Sequence, residues 1–154
     1  MAVKAGQKAP DFSLPASGGQ TVSLKSLAGK KVVLYFYPKD NTPGCTREAC
    51  SFRDSHQALQ NAGAVILGVS ADSVKSHEKF AGQYQLPFPL LSDDGAKVAT
   101  AYGAWGEKSL YGRKFMGMKR MTFLIDEKGT IAKVWEKVKP DKHGEEVLAA
   151  VEGG

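Results

Sequence analysis

Long apolar runs are missing from this sequence of 154 residues, although 42% of the residues are hydrophobic. The longest runs, at 32–37 and 64–69, are far shorter than the roughly 18 to 20 residues that a membrane-spanning helix needs. Residues 1–8 contain neither the apolar core of a secretory signal nor the arginine- and serine-rich pattern of a transit peptide. We therefore expect a soluble, cytoplasmic protein that does not associate with membranes.

Low-complexity tracts, internal repeats and linkers rich in proline, glycine or serine are also absent. A chain of this length has room for one domain with an ordinary buried core. The sequence therefore predicts a single domain over residues 1–154.

Cysteine is scarce, since Cys45 and Cys50 are the only two in the chain. Two cysteines are too few to form the disulfide framework of a small secreted protein. The three histidines, His56, His77 and His143, are scattered, so the spacing of a zinc site is missing and no metal is expected. The cysteines are therefore expected to serve redox chemistry or packing.

The net charge of +5 comes from one region, because residues 107–142 hold ten basic and five acidic side chains. The lysines of this region are spread over strand-like and turn-like sequence, without a basic helix or stacking aromatic residues. We therefore expect no nucleic-acid binding, and interpret the region as a solvated face that aids solubility or meets an acidic partner.

Hydrophobic periodicity predicts strands that alternate with helices. Predicted strands lie at 12–14 and 22–24, which form a hairpin, and at 31–37, 64–70, 121–126 and 130–135; predicted helices run from 43 to about 62, about 73 to 84, about 96 to 102 and about 141 to 151. Residues 103–117 are predicted to be irregular. Two parallel strands with crossover helices, followed by a hairpin and a helix, indicate a thioredoxin-like three-layer α/β sandwich with an N-terminal hairpin extension and a mid-chain insertion.

Cys45 lies where the predicted strand 31–37 gives way to a helix, which is the edge of the sheet where α/β active sites form. Thr42 is a suitable N-cap, and Pro43 suits the first helical position. Cys45 then falls in the first helical turn, where the helix dipole favours a thiolate. The alternative of an inert core cysteine fits this setting poorly.

An intact helix keeps Cys50 away from Cys45, because five helical residues separate the Cα atoms by about 9 Å. A disulfide needs roughly 4.4 to 6.8 Å, so either Cys50 is a core residue or the helix start unwinds. His56 lies about 16 Å further along the axis and is interpreted as a core or surface histidine rather than a base. The cation that helps Cys45 to ionise could be any of four arginines, Arg47, Arg53, Arg113 or Arg120.

The segment 36–50, Phe-Tyr-Pro-Lys-Asp-Asn-Thr-Pro-Gly-Cys-Thr-Arg-Glu-Ala-Cys, resembles the active-site segment of peroxiredoxins. The resemblance is to the PrxQ branch, the bacterioferritin comigratory proteins. The pattern Pro-x-x-x-Thr-x-x-Cys is specific to that superfamily. The similarity extends along nearly the whole chain and includes segments 9–15, 91–93, 102–106 and 120–126.

This resemblance implies that Cys45 is the peroxidatic cysteine and Cys50 the resolving cysteine. It implies that Thr42 and Arg120 hold the thiolate and the peroxide, and that Pro38 shields the pocket from water. Glu48 matches a family position beside the reactive thiol, with a solvated helix residue as the alternative.

The activity implied is that of a thiol peroxidase that reduces hydrogen peroxide and organic hydroperoxides in antioxidant defence and redox homeostasis. Cys45 and Cys50 would form an intramolecular disulfide that thioredoxin, or alternatively glutaredoxin, reduces. The resemblance implies a monomer without a metal or an organic cofactor.

Two other classes of function remain open at the level of sequence. A disulfide reductase on the same fold would carry Cys-x-x-Cys, and the spacing of the two cysteines here argues against it. A non-catalytic binding module would use the basic region 107–142.

Overall fold

Strands and helices alternate through residues 3–153, the part of the chain that the computed structural model describes. The strands are β1 (Ser13–Ala16), β2 (Gln20–Ser23), β3 (Lys31–Phe36), β4 (Ala64–Ser70), β5 (Leu90–Ser92), β6 (Trp105–Leu110), β7 (Arg113–Met118), β8 (Met121–Ile125) and β9 (Ile131–Trp135). The helices are α1 (Pro43–Asn61), α2 (Val74–Tyr84), α3 (Lys97–Tyr102) and α4 (His143–Gly153). No helix within this range is long and apolar enough to cross a bilayer.

A seven-stranded mixed sheet in the order β2-β1-β5-β4-β3-β8-β9 forms the middle layer. Strands β3, β4 and β5 are parallel, and α1 and α2 make the two crossovers between them. Strands β8 and β9 extend the sheet antiparallel on one side, and the hairpin β1–β2 extends it antiparallel on the other. This is the strand and helix order of the predicted thioredoxin-like sandwich, with the predicted N-terminal hairpin.

The central strand β3 is buried on both faces, as its continuous apolar sequence predicts. Val32, Leu34 and Phe36 pack into one cluster with residues of α3 and the N-terminal hairpin. Val33 and Tyr35 point to the other face and pack with residues of α1 and α4. Two apolar cores therefore lie on opposite faces of the sheet, and helices cover both.

The helix boundaries agree with the predictions to within a few residues. Helix α1 ends at Asn61, and Gly63 follows it at a φ of +84° that favours glycine. The hydroxyl of Ser73 accepts a hydrogen bond of 3.1 Å from the N–H of Ser76 and caps α2. Local sequence patterns therefore located the two crossover helices.

The prediction that residues 103–117 are irregular is wrong. Strands β6 and β7 pair along their full length as a separate two-stranded sheet. Tyr111 and Gly112 form the turn with φ values of +51° and +77°, as the turns of tight hairpins require. The sequence of this hairpin lacks a clear hydrophobic alternation, because its outer face is solvated and carries polar and glycine residues. Strand β5 was missed because it is only three residues long.

The start of α4 lies directly against α1 beside Cys50. The N–H of Gly144 donates a hydrogen bond of 2.8 Å to the hydroxyl of Ser51. A Cβ atom at Gly144 would clash with the main-chain carbonyl of Ser51, so only glycine permits this approach. This contact between Gly144 and Ser51 stabilises the middle of α1. It does not involve the first turns of α1, where Cys45 lies.

Candidate active site

Cys45 lies in the first turn of α1, at the carboxyl end of β3, as predicted. Pro38 and Thr42 lie in the loop that joins the two elements. The side chain of Cys45 is buried, with 2% of its surface exposed, and it packs in the cluster under α1. By helix geometry, the N–H groups of Gly44 and Cys45 have no carbonyl partner within the helix, so they favour an anion at this point.

Thr42 occupies the N-cap position, but its side chain does not act as the predicted cap. The hydroxyl donates a hydrogen bond of 3.0 Å to the carbonyl of Lys39 instead of accepting one from α1. The main-chain carbonyl of Thr42 accepts from the N–H of Thr46 at 2.8 Å and starts the helix. The prediction failed because a loop carbonyl lies within reach of the hydroxyl, which propensity alone does not reveal.

Arg120 is the arginine that contacts the thiol. It immediately precedes β8, and its Nη2 donates a hydrogen bond of 3.3 Å to the Sγ of Cys45. Its Nη1 donates one of 2.7 Å to the Oε1 of Glu48. A Cβ atom at Gly44 would lie 3.1 Å from the Nη2 of Arg120, so the glycine leaves room for the guanidinium. One guanidinium therefore contacts both the thiol and the carboxyl group.

The other three arginines have different positions. Arg47 forms an ion pair with Asp141, with 2.7 Å between the charged atoms. Arg53 donates a hydrogen bond of 3.0 Å to the carbonyl of Tyr84. Arg113 is exposed on β7. The structure thus places at the thiol the one arginine that the family resemblance implied and that local patterns alone left undecided.

Glu48 is fully buried, so the alternative that it is a solvated helix residue is wrong. Its Oε1 accepts from Arg120, while its Oε2 has no hydrogen-bond partner among the described residues. Burial raises the pKa of Glu48 to about 7, even though Arg120 acts in the opposite direction. Burial would lower the pKa of Arg120, but Glu48 and Cys45 outweigh it and raise that pKa.

The raised pKa of Glu48 predicts that the protein loses stability as the pH rises from about 4.5 to about 7. In that window the unfolded chain releases a proton that the folded chain keeps, so the free energy of unfolding falls by about 1.4 kcal/mol for each pH unit. Replacement of Glu48 by glutamine removes this titration. In urea unfolding at pH 5 and pH 7.5, wild type should lose a few kcal/mol more than Glu48→Gln. Parallel profiles of the two proteins would contradict the raised pKa.

Cys50 is partly buried on α1 and is not bonded to Cys45. Helix α1 is continuous from Pro43 to Asn61, so the Cα atoms of the two cysteines are separated by the helical distance of about 9 Å. This structure therefore represents the dithiol state. The ring of His56 lies 6.3 Å from that of Phe88, and partial burial lowers the pKa of this histidine. It is a packing residue, as expected.

Pro38 is half-buried and directly follows Tyr37, the residue after β3. The shielding of the pocket by Pro38 stays a prediction.

Lys108 on β6 is a neighbour of the site that the sequence did not reveal. Its Nζ donates a hydrogen bond of 2.9 Å to the carbonyl of Met118, two residues before Arg120. Burial and the nearby Arg120 lower the pKa of Lys108, and Cys45 acts in the opposite direction. The hairpin β6–β7 therefore lies beside the thiol. No local signal indicates this, because the hairpin itself was not predicted.

Three basic side chains of the region 107–142 lie in different environments. Arg120 is largely buried in the site, and Lys114 lies 3.6 Å from Glu107 within the hairpin β6–β7. Lys133 lies over the ring of Trp135, with its Nζ 4.9 Å from the ring centroid. The charges are therefore divided among separate local environments.

The sequence is similar to known proteins along most of its length. The profile of the AhpC/TSA family matches residues 5–134. A bcp peroxiredoxin of Coxiella burnetii is 55% identical over 148 residues, which cover 96% of this chain and 98% of that protein. Peroxiredoxin Bcp of Bacillus subtilis is 51% identical over 148 residues, which cover 96% of this chain and 94% of that protein.

The fold is similar to that of a solved structure, the bacterioferritin comigratory protein of Xanthomonas campestris. The two superimpose with a TM-score of 0.90 and 41% sequence identity, over 97% of this chain and 98% of that one. That protein was studied for its alkyl peroxide reduction activity, through trapped intermediate and ligand complexes.

Proposed function

Because the chain belongs to the AhpC/TSA family, in its PrxQ branch of peroxiredoxins, and is a thiol peroxidase, we propose that Cys45 is its peroxidatic cysteine and Cys50 its resolving cysteine. The observation that carries this proposal is the hydrogen bond of 3.3 Å from Arg120 to the Sγ of Cys45 at the start of α1. A guanidinium and a helix N-terminus favour the thiolate, which is the reactive form of cysteine.

In the first step, the thiolate of Cys45 attacks one oxygen of the peroxide. An S–O bond forms, the O–O bond breaks, and the sulfur is oxidised to a sulfenic acid. The other oxygen takes up a proton and leaves as water, or as an alcohol from an organic hydroperoxide. In this mechanism Arg120 stabilises the negative charge that develops on the leaving oxygen, and it accelerates the step because that charge is absent from the resting thiol and peroxide. Thr42 and Pro38 complete the pocket on the side of the loop.

In the second step, the thiol of Cys50 attacks the sulfenic sulfur of Cys45, and water leaves as the disulfide forms. The first turns of α1 must unwind for this, because the helical spacing of about 9 Å is too long for a disulfide. Gly44 and the absence of a side-chain cap from Thr42 weaken the helix start. The contact of Gly144 with Ser51 supports the helix just beyond Cys50.

A dithiol protein must then reduce the disulfide, and thioredoxin is the proposed reductant, with glutaredoxin as the alternative. The substrates within the peroxide class are hydrogen peroxide and organic hydroperoxides. We further propose that residues 1–154 form a single domain, and that the protein acts in the cytoplasm as a monomer.

One equivalent of hydrogen peroxide added to the reduced protein should give a product lighter by two hydrogen atoms in intact-mass analysis. Amide exchange of residues 43–51 should become faster in that product, because the helix start is lost. A product heavier by one oxygen atom, with unchanged exchange, would show that Cys50 does not resolve Cys45. Consumption of hydrogen peroxide with thioredoxin or glutaredoxin and their reductases identifies the reductant.

A further inference from the structure

A second cluster of buried polar groups lies behind the loop that carries Pro38 and Thr42. The carboxylate of Asp40, in the middle of this loop, is 7% exposed, and His77 on α2 is fully buried. Oδ2 of Asp40 lies 2.7 Å from Nδ1 of His77 and accepts a hydrogen bond of 2.8 Å from the hydroxyl of Ser76. Oδ1 accepts one of 2.5 Å from the hydroxyl of Tyr37. The proposed reaction uses none of these groups.

His77 contacts Asp40 through one ring nitrogen and β5 through the other. Its Nε2 lies 2.9 Å from the carbonyl oxygen of Leu91, which can only accept a hydrogen bond. Its Nδ1 faces a carboxylate whose pKa is lowered, since the hydrogen bonds from His77 and Tyr37 outweigh the effect of burial. Both ring nitrogens therefore face acceptors.

The backbone of Asp40 is fixed as well as its side chain. Its N–H donates a hydrogen bond of 2.7 Å to the Oδ2 of Asp72, which also accepts one of 2.8 Å from the hydroxyl of Ser70. The hydroxyl of Ser92 donates to the carbonyl of Asp72 at 2.6 Å. The ends of β4 and β5 and the start of α2 thus hold the loop from behind.

These side chains include a set that could bind a metal, because ligand atoms of Asp40, Asp72 and His77 lie within 4.8 Å of one another. Each of those atoms already has a hydrogen-bond partner in this cluster. Nδ1 and Nε2 of His77 contact Asp40 and Leu91, and Oδ2 of Asp72 accepts from a backbone N–H and from Ser70. Hydrogen bonding accounts for the arrangement without an ion.

The loop needs such an anchor for two reasons. Asn41, next to Asp40, has a φ of +62°, a left-handed conformation that costs some free energy even though asparagine tolerates it better than most residues. The helix that follows the loop must also lose its first turns and regain them in each catalytic cycle. A loop fixed on its other side returns Pro38 and Thr42 to the same positions each time.

We propose that His77 is a positioning residue for the peroxidase reaction: it holds Asp40 from α2, and Asp40 fixes the loop that places Pro38 and Thr42 beside Cys45. The inference rests on the proposed role of Cys45. Buried hydrogen-bonded groups of this kind keep reacting atoms in place, and small displacements at an active site reduce the rate strongly.

Two variants of His77 test this proposal, and each of them loses one hydrogen bond. In His77→Asn the side-chain amide lies near the position of Nδ1, so it keeps the bond to Asp40 and loses that to Leu91. In His77→Gln the amide reaches the position of Nε2, so it keeps the bond to Leu91 and frees Asp40. We expect stopped-flow oxidation of the thiol by hydrogen peroxide to be about tenfold slower in His77→Gln and within about twofold of wild type in His77→Asn.

The matched pair separates positioning from stability, because each variant loses one buried hydrogen bond. Equal rates in the two variants, whether both slow or both fast, would overturn the proposal. Amide exchange of residues 38–46 should be faster in His77→Gln than in His77→Asn.

Asp40→Ala keeps the test decisive if a His77 variant does not fold, since it leaves His77 in place and removes the carboxylate that His77 holds. We expect about tenfold slower oxidation of Cys45 in this variant, and an unchanged rate would overturn the proposal. Wild type measured in the same experiment tests the underlying assumption that the Cys45 thiol reacts with hydrogen peroxide. If its Cys45 thiol does not react with hydrogen peroxide, the proposed function fails, independently of His77.

Discussion

Replacement of Cys45 by serine is expected to reduce peroxide consumption to the uncatalysed rate. A serine hydroxyl in the same place is not ionised at neutral pH, and oxygen cannot form the sulfenic acid through which the reaction runs. Arg120 and the helix start would then stabilise an anion that does not form. The measurement is the consumption of hydrogen peroxide in the presence of thioredoxin, thioredoxin reductase and NADPH.

Cys50→Ser is the matched control for this variant, because it removes the other sulfur and leaves the site around Cys45 intact. It should reduce the first equivalent of peroxide at the wild-type rate and leave Cys45 as a sulfenic acid. A second, slower equivalent then oxidises Cys45 to the sulfinic acid, and consumption ends there. Normal turnover by Cys45→Ser would show that another group is the nucleophile. A missing first turnover in Cys50→Ser would show that the two cysteines do not act in sequence.

Replacement of Arg120 by methionine is expected to slow the oxidation of Cys45 by about two to three orders of magnitude, the usual effect of losing one transition-state donor. The variant loses the hydrogen bond to the thiol and, in the proposed mechanism, the charge that stabilises the leaving oxygen. It also leaves Glu48 buried without its partner. Loss of one member of a buried ion pair costs about 3 to 5 kcal/mol, and protonation of Glu48 reduces this cost because its pKa is already about 7.

The double variant Arg120→Met, Glu48→Gln separates these two effects. A neutral glutamine removes the buried charge, so the free energy of unfolding should recover, while the rate of thiol oxidation should stay low. Urea unfolding and stopped-flow oxidation measure the two quantities. Recovery of the rate in the double variant would mean that Arg120 acts on Cys45 only by neutralising Glu48.

The family, the fold class and the peroxidase activity agree with what the sequence predicted. The activity sets aside a disulfide reductase and a non-catalytic binding module as interpretations of this chain. The assignment of Cys45 and Cys50 to the two steps stays a prediction, and intact-mass analysis decides it.

Local sequence determined the elements that position Cys45. The apolar run of β3, Pro38 after it and Pro43 at the first position of α1 act through backbone preferences within a few residues, so they can be inferred without a structure. The same local reasoning failed at the hairpin β6–β7, where solvated side chains conceal the strand pattern, and at the hydroxyl of Thr42, which bonds to a loop carbonyl.

Only the tertiary structure decided which distant side chains surround the thiol. Arg120 is 75 residues from Cys45. Local patterns left four arginines open and only the family resemblance pointed to Arg120, because the pairing of β8 with β3 is what brings it to the thiol. The burial of Glu48 and the pairing of His77 with Asp40 depend equally on how the helices pack on the sheet. Backbone preferences act between neighbours in the chain, whereas charges and burial act between neighbours in space, and therefore the sequence located Cys45 and the fold supplied its environment.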